Sequence, residues 1–239
     1  MGGFFLLALG AGGCDRGVPG GGAETKVGGI RVLCLGDSYT IGEWVEVGER
    51  WPVQMAGMLR EQGVEVVEPE IVARTGWTTT ELMSAMDARG VSGEWEVVTV
   101  LAGVNDEFRG GDAETFRGNF RVLLGRAVGL ARGRSAWRVV VLAIPDWGLT
   151  PYGRGSGRER VGEEIAAFNR VCREEAERAG AVWVDTTAES NEVRSDESLV
   201  AEDGLHPSGA LYRRWAQKAS MAVRGIVTGA TTRHGPEQP

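Results

Sequence analysis

The chain has 239 residues, 42% of them hydrophobic and 25% charged, and a formal net charge of −7. That length holds one well-buried domain, and the composition is that of an ordinary soluble globular protein. The acidic balance repels phosphate backbones and argues against nucleic acid as a partner. No Cys or His spacing fits a metal site.

Residues 1–29 read as a leader and tether outside the domain. Phe4-Phe5-Leu6-Leu7-Ala8-Leu9 is apolar but too short to span a bilayer as a helix. Small residues, Ala11-Gly12-Gly13, then precede Cys14. This predicts an exported protein of the bacterial envelope, with a lipid anchor at Cys14. Against it stand the lack of Lys or Arg before the apolar run and Ala11 where leucine is usual. The alternative is a cytoplasmic protein with a chance apolar stretch. Gly17 to Gly29 is glycine- and proline-rich and reads as a flexible linker.

From residue 30 to 227 strands and helices alternate. Strands are predicted at Arg31–Leu35, Val64–Val67, Val97–Leu101, Val139–Ala143 and Val182–Asp185, each a short aliphatic run bounded by turn residues. Trp51–Gln62 is a helix opened by Pro52 and closed by Gly63. Thr79–Ala88 starts on threonines with Glu81 in its first turn. In Ala113–Arg132 the residues Phe116, Phe120, Leu123 and Ala127 make one apolar stripe. Arg158–Ala179 and Ser208–Val227 complete the helices. In the former, Cys172 shares a face with Ile165, Phe168 and Ala176 and reads as a core thiol, as does Cys34 in the first strand. In the latter, Leu211, Trp215, Ala222 and Ile226 share one face. Alternation of this kind predicts a parallel sheet with helices on both sides. Residues 228–239 are polar and read as a frayed tail.

The chemistry-bearing residues follow the strands. Gly36-Asp37-Ser38-Tyr39 comes directly after the first, where open α/β sheets hold their ligands. A serine nucleophile needs a base, and imidazole is the usual one. The chain has two histidines, and His234 lies in the tail. Ser38 would therefore pair with His206, in Asp203-Gly204-Leu205-His206-Pro207. Arg74-Thr75-Gly76-Trp77 follows the second predicted strand, and Gly103-Val104-Asn105-Asp106 the third. Each stretch alone could be a plain turn. Together they converge on one edge of the sheet.

The ordered set Ser38, Gly76, Asn105 and His206 resembles the SGNH hydrolases, also called the GDSL esterase/lipase family. The likeness runs from about Val32 to Trp215 and includes the runs Gly36–Glu43, Thr75–Thr79 and Ile144–Gly148. Tyr39 stands where the family name implies leucine. The fold expected is a three-layer α/β/α sandwich with a flavodoxin-like parallel five-stranded sheet of order 2-1-3-4-5. The rival α/β-hydrolase fold is disfavoured, because its Gly-x-Ser-x-Gly elbow is absent.

On this reading Ser38 attacks an ester carbonyl, His206 moves the proton and Asp203 orients the imidazole. The resemblance implies oxyanion donors from the backbone of Ser38 and Gly76 and from the side chain of Asn105. Asp37 and Asp106 would hold their loops. Tyr39, Trp77, Phe108 and Trp147, with Tyr152, would wall the substrate pocket. Glu107 and Arg109 read as a solvated pair or a loop clasp. The expected activity is hydrolysis of carboxylic esters or thioesters through an acyl-serine intermediate, by a monomer without metal or organic cofactor. The substrate would be a small-molecule or polysaccharide ester. Two alternatives are a cell-envelope polysaccharide O-acetyl esterase or acetyltransferase, and a non-catalytic binding lipoprotein.

Overall fold

The structure is a computed structural model that describes residues 28 to 230. The apolar run Phe4–Leu9, Cys14, most of the tether and His234 lie outside the described residues. In chain order the elements are β1 (Val32–Gly36), α1 (Ser38–Ile41), α2 (Trp51–Glu61), β2 (Glu70–Ala73), α3 (Thr79–Ala88), β3 (Val97–Leu101) and α4 (Val104–Phe108). There follow α5 (Ala113–Leu130), β4 (Val139–Leu142), α6 (Pro151–Gly155), α7 (Val161–Ala179), β5 (Val182–Val184), α8 (Thr187–Asn191) and α9 (Gly209–Thr228).

All four strand pairings are parallel and the order is β2-β1-β3-β4-β5, as expected from the alternation and the resemblance. β1 and β3 are buried along their whole length, because helices cover both faces of the sheet. α2 packs on α9, while α5 packs on α3 and α7. The direction of winding reverses between β1 and β3, and α/β sheets bind ligands outside the strand ends at such a point.

The second strand differs from the expectation. Val64–Val67 makes only a single parallel bridge, Val66 to Ile30. Pro69 then interrupts the run, since it has no N–H to give to a ladder. The paired strand is Glu70–Ala73, whose first residue is exposed, as an edge strand permits. The stripe on α5 and the face of α7 around Cys172 are buried as predicted. On α9, Leu211, Trp215 and Ile226 are buried, but Ala222 is only half-buried and Val223 takes the core position. α7 begins at Val161 rather than Arg158, which instead bonds Glu107 and the Phe108 carbonyl of α4.

Candidate active site

Ser38 is the first residue of a one-turn helix set directly on the end of β1. Asp37 caps that helix by accepting a hydrogen bond from Tyr39 N at 3.0 Å. The turn is tight: a Cβ at Gly36 would come within 2.1 Å of Thr40 Oγ1 and 2.5 Å of the Leu101 carbonyl oxygen. At the first helical position the amide of Ser38 has no intrahelical acceptor, so it remains free for an anion.

The next two loops are built against each other. Gly76 has φ of +84°, a conformation that favours glycine. Its carbonyl accepts from Arg109 Nη2 at 2.5 Å, and the next carbonyl, of Trp77, accepts from Asn105 Nδ2 at 2.9 Å. The Asp106 carboxylate accepts from Thr79 N at 2.9 Å and from Thr79 Oγ1 at 2.7 Å. Asn105, Asp106 and Arg109 thus all reach from α4 and its C-terminal cap onto residues 76–79. Burial pushes the Asp106 carboxyl up, and the two bonds from Thr79 offset part of that rise.

The histidine loop is self-contained. Asp203 Oδ1 accepts from the amides of Leu205 and His206, both at 3.0 Å, while Oδ2 lies 2.5 Å from His206 Nδ1. Burial raises the Asp203 carboxyl, but the bonds from the His206 ring and the two amides outweigh it and leave the group below its usual value. With Nδ1 engaged, Nε2 is the ring nitrogen left for chemistry. Tyr39 packs under the imidazole, ring centroids 5.5 Å apart, and against Trp215 of α9 at 6.1 Å.

Ser38, Gly76, Asn105 and His206 line one cavity of about 130 Å³, together with Tyr39, Phe108 and Trp147. Thr75, Val104 and Leu205 also line it; they neighbour motif residues, which is the only signal the sequence held for them. Trp77 does not line it. Its carbonyl is used by Asn105, and the Arg89 guanidinium lies over its ring at 5.6 Å. Tyr152 also stands outside the lining, with its ring 6.2 Å from that of Trp147.

Of the two alternatives for Glu107 and Arg109, the loop clasp holds for Arg109 and the solvated pair does not. They do not pair with each other. Arg109 clasps the Gly76 loop and pairs with Glu81 at 3.1 Å. Glu107 is buried, 1% exposed, where its carboxylate accepts from Trp147 Nε1 at 2.8 Å and pairs with Arg158. Its partners lie 40 and 51 residues away, so no local pattern marked it. Asp37 and Asp106 hold their loops as expected. Asp37 is wholly buried, its Oδ2 has no partner, and burial pushes its carboxyl up to about 8.

A parallel sheet with a serine, a glycine, an asparagine and a histidine–aspartate pair gathered at its carboxyl edge defines an α/β fold with a hydrolase-like site. The sequence pattern of the GDSL-like Lipase/Acylhydrolase family matches residues 34–214, and the chain belongs to that family. It is an enzyme that hydrolyses esters. None of the curated proteins matches the chain in sequence. Several solved structures share the fold. A member of the lipolytic protein G-D-S-L family from Veillonella parvula is 16% identical with a TM-score of 0.63, covering 84% of this chain and 99% of its own. The psychrotrophic esterase EstA from Pseudoalteromonas sp., inhibited by monoethylphosphonate, is 16% identical with a TM-score of 0.62, over 83% and 99% of the two chains. Axe2, an acetylxylan esterase from Geobacillus stearothermophilus, is 21% identical with a TM-score of 0.59, over 82% and 94%.

Proposed function

We propose that the protein hydrolyses carboxylic esters through an acyl-Ser38 intermediate. The observation that carries this is the meeting of Ser38, Gly76, Asn105 and the His206–Asp203 pair on one small cavity. His206 Nε2 takes the proton of Ser38 Oγ as the oxygen attacks the ester carbonyl, and returns it to the leaving alcohol. Asp203 holds Nδ1–H, which fixes the tautomer and stabilises the imidazolium. The negative charge that develops on the carbonyl oxygen meets the amides of Ser38 and Gly76 and the Asn105 side chain. Asn105 has two amide hydrogens. One is spent on the Trp77 carbonyl and orients the group; the other is free for the oxyanion. Water then repeats the sequence on the acyl-enzyme.

A fluorophosphonate probe tests the nucleophile. It should label the wild type and leave Ser38→Ala unlabelled, while turnover falls on the order of 10⁶-fold. Labelling that survives the substitution rejects Ser38.

A second reading, removal of acetyl groups from a polysaccharide, is favoured by one observation. The cavity is small, and beside it Phe108 and Tyr152 expose 45% and 46% of their surface, as rings that stack on sugars do. The name of the Geobacillus neighbour supports the same reading. Export and anchoring through Cys14 are proposed with it. Fractionation of wild type against Cys14→Ser should find the first in membranes and the second soluble; both in the cytosol would reject it.

A further inference from the structure

The cavity has a charged support that the hydrolytic chemistry does not use. Besides Ser38, Gly76, Asn105 and His206, its lining holds the apolar side chains of Val104, Phe108, Trp147 and Leu205 and the ring of Tyr39. If the acyl-Ser38 reading holds, the oxyanion faces Gly76 and Asn105 and the leaving oxygen faces His206. The acyl chain then lies against the apolar lining, in which Trp147 is the largest side chain.

Trp147 is 1% exposed and held from several directions. Its Nε1–H donates to Glu107 Oε2 at 2.8 Å. The ring of Phe108 stands edge-on at 5.2 Å, and the Arg158 guanidinium lies 5.2 Å from the indole centroid. Arg158 also pairs with the other Glu107 oxygen, with Glu164 at 2.7 Å, and with the Phe108 carbonyl at 3.2 Å. A buried carboxylate without a partner is costly, so the guanidinium is needed to keep Glu107 under the indole. In return the indole receives a charge-assisted acceptor, stronger than a neutral one. Glu107 and Phe108 belong to α4, the helix that also carries Asn105, so the wall and the oxyanion donor are fixed by one short element.

We propose that Trp147, positioned by the Glu107–Arg158 pair, limits the acyl group and makes the protein a short-chain esterase. A cavity of about 150 Å³ holds a ligand of six carbons such as benzene. One of about 130 Å³ therefore accepts an acetyl group and roughly as far as a butanoyl group. An octanoyl chain exceeds that volume and cannot lie wholly inside the cavity while the indole keeps its place. Trp147 is the specificity-determining residue; Glu107 is a positioning residue that acts through it.

The test is kcat/KM of the full chain on p-nitrophenyl acetate, butanoate and octanoate. Wild type should fall at least about tenfold from butanoate to octanoate. Each methylene newly buried is worth roughly fourfold, so Trp147→Ala should raise the octanoate-to-acetate ratio by at least about tenfold. Glu107→Leu, which removes the acceptor, should shift the ratio the same way by less. Glu107→Gln keeps an acceptor and should restore the wild-type ratio. Trp147→Phe keeps a packed ring and supplies the answer should the alanine variant fail to fold; its ratio should rise by less. A wild type that prefers octanoate overturns this inference and leaves the esterase reading standing. Ratios unchanged in the Trp147 variants also overturn it. Glu107→Leu lowering all three esters equally overturns the role of Glu107. No turnover of any ester overturns the esterase reading and this inference with it.

Discussion

The two halves of the site are built by opposite means. The histidine half is local: Asp203 binds the amides of Leu205 and His206 and the imidazole itself, all within three residues. The oxyanion half is assembled across the sheet. Asn105 binds Trp77 from 28 residues away, Asp106 binds Thr79 from 27, and Arg109 binds Gly76 from 33. The difference teaches where each half is vulnerable. The first depends on one side chain and should fail all at once. The second shares its geometry over several contacts and should fail by degrees.

The largest effect should come from the local half. His206→Ala removes the only base at the cavity and should lower kcat on the order of 10⁶-fold. Asp203→Asn leaves the ring in place with the wrong tautomer and should cost about 10⁴-fold. Because the two act as one unit, the double variant should be little worse than His206→Ala alone. Additive losses measured by steady-state kinetics would mean that Asp203 acts elsewhere.

The distributed half should show a graded response. Asn105→Ala should lower kcat by about 10²–10³ with little change in KM, since its free amide hydrogen meets charge that develops only in the transition state. A raised KM at constant kcat would reassign Asn105 to ground-state binding. The Arg109 guanidinium donates to the Gly76 carbonyl and pairs with Glu81, and half of its side chain is in solvent. Arg109→Met should therefore cost about tenfold in kcat through a loosened Gly76 amide, less than the roughly 10²-fold that a full 1 Å misplacement can cost. A loss as large as that of Asn105→Ala would show that the bonds from Asn105 to Trp77 and from Thr79 to Asp106 do not hold the Gly76 amide in place without Arg109.

The same contrast explains what was legible in the sequence. Asp203 and His206 could be read because their partnership is encoded within four residues. β1, β3 and α3 could be read because aliphatic runs and caps are local signals, and α3 carries both halves of its capping box on Thr78 and Glu81. β2 was misplaced because Val64–Val67 looks more like a strand than Glu70–Ala73. Only the pairing to β1, with Pro69 breaking the ladder between them, decides the matter. Trp77 follows Gly76 and is expected in the pocket, yet its ring lies beneath the guanidinium of Arg89, the C-terminal cap of α3. For Glu107 the chain offers only a solvated pair or a loop clasp with Arg109, since the indole that it supports lies 40 residues away. Contacts that cross the sheet leave no periodic trace in the chain.

The last effect concerns charge rather than contact and is read in stability rather than in rate. Asp203 beside His206 and Asp37 in the turn beneath Ser38 have carboxyls that move in opposite directions. Asp203 is held below its ordinary value, so its contribution to stability is present at neutral pH and is lost as pH falls through its folded value. Asp37 is pushed from 3.8 up to about 8 by burial, with Oδ2 unpartnered. Its folded form keeps the proton that the unfolded chain gives up near pH 4. The stability it contributes is therefore full below about pH 3.8 and is lost as pH rises through about 8. Asp37→Asn cannot ionise, and its side-chain oxygen still accepts from Tyr39 N. Urea midpoints at pH 5 and pH 8 should fall more in the wild type than in Asp37→Asn. Parallel changes in the two proteins would show that Asp37 is already charged in the fold, and that the turn beneath Ser38 holds an ionised carboxylate after all.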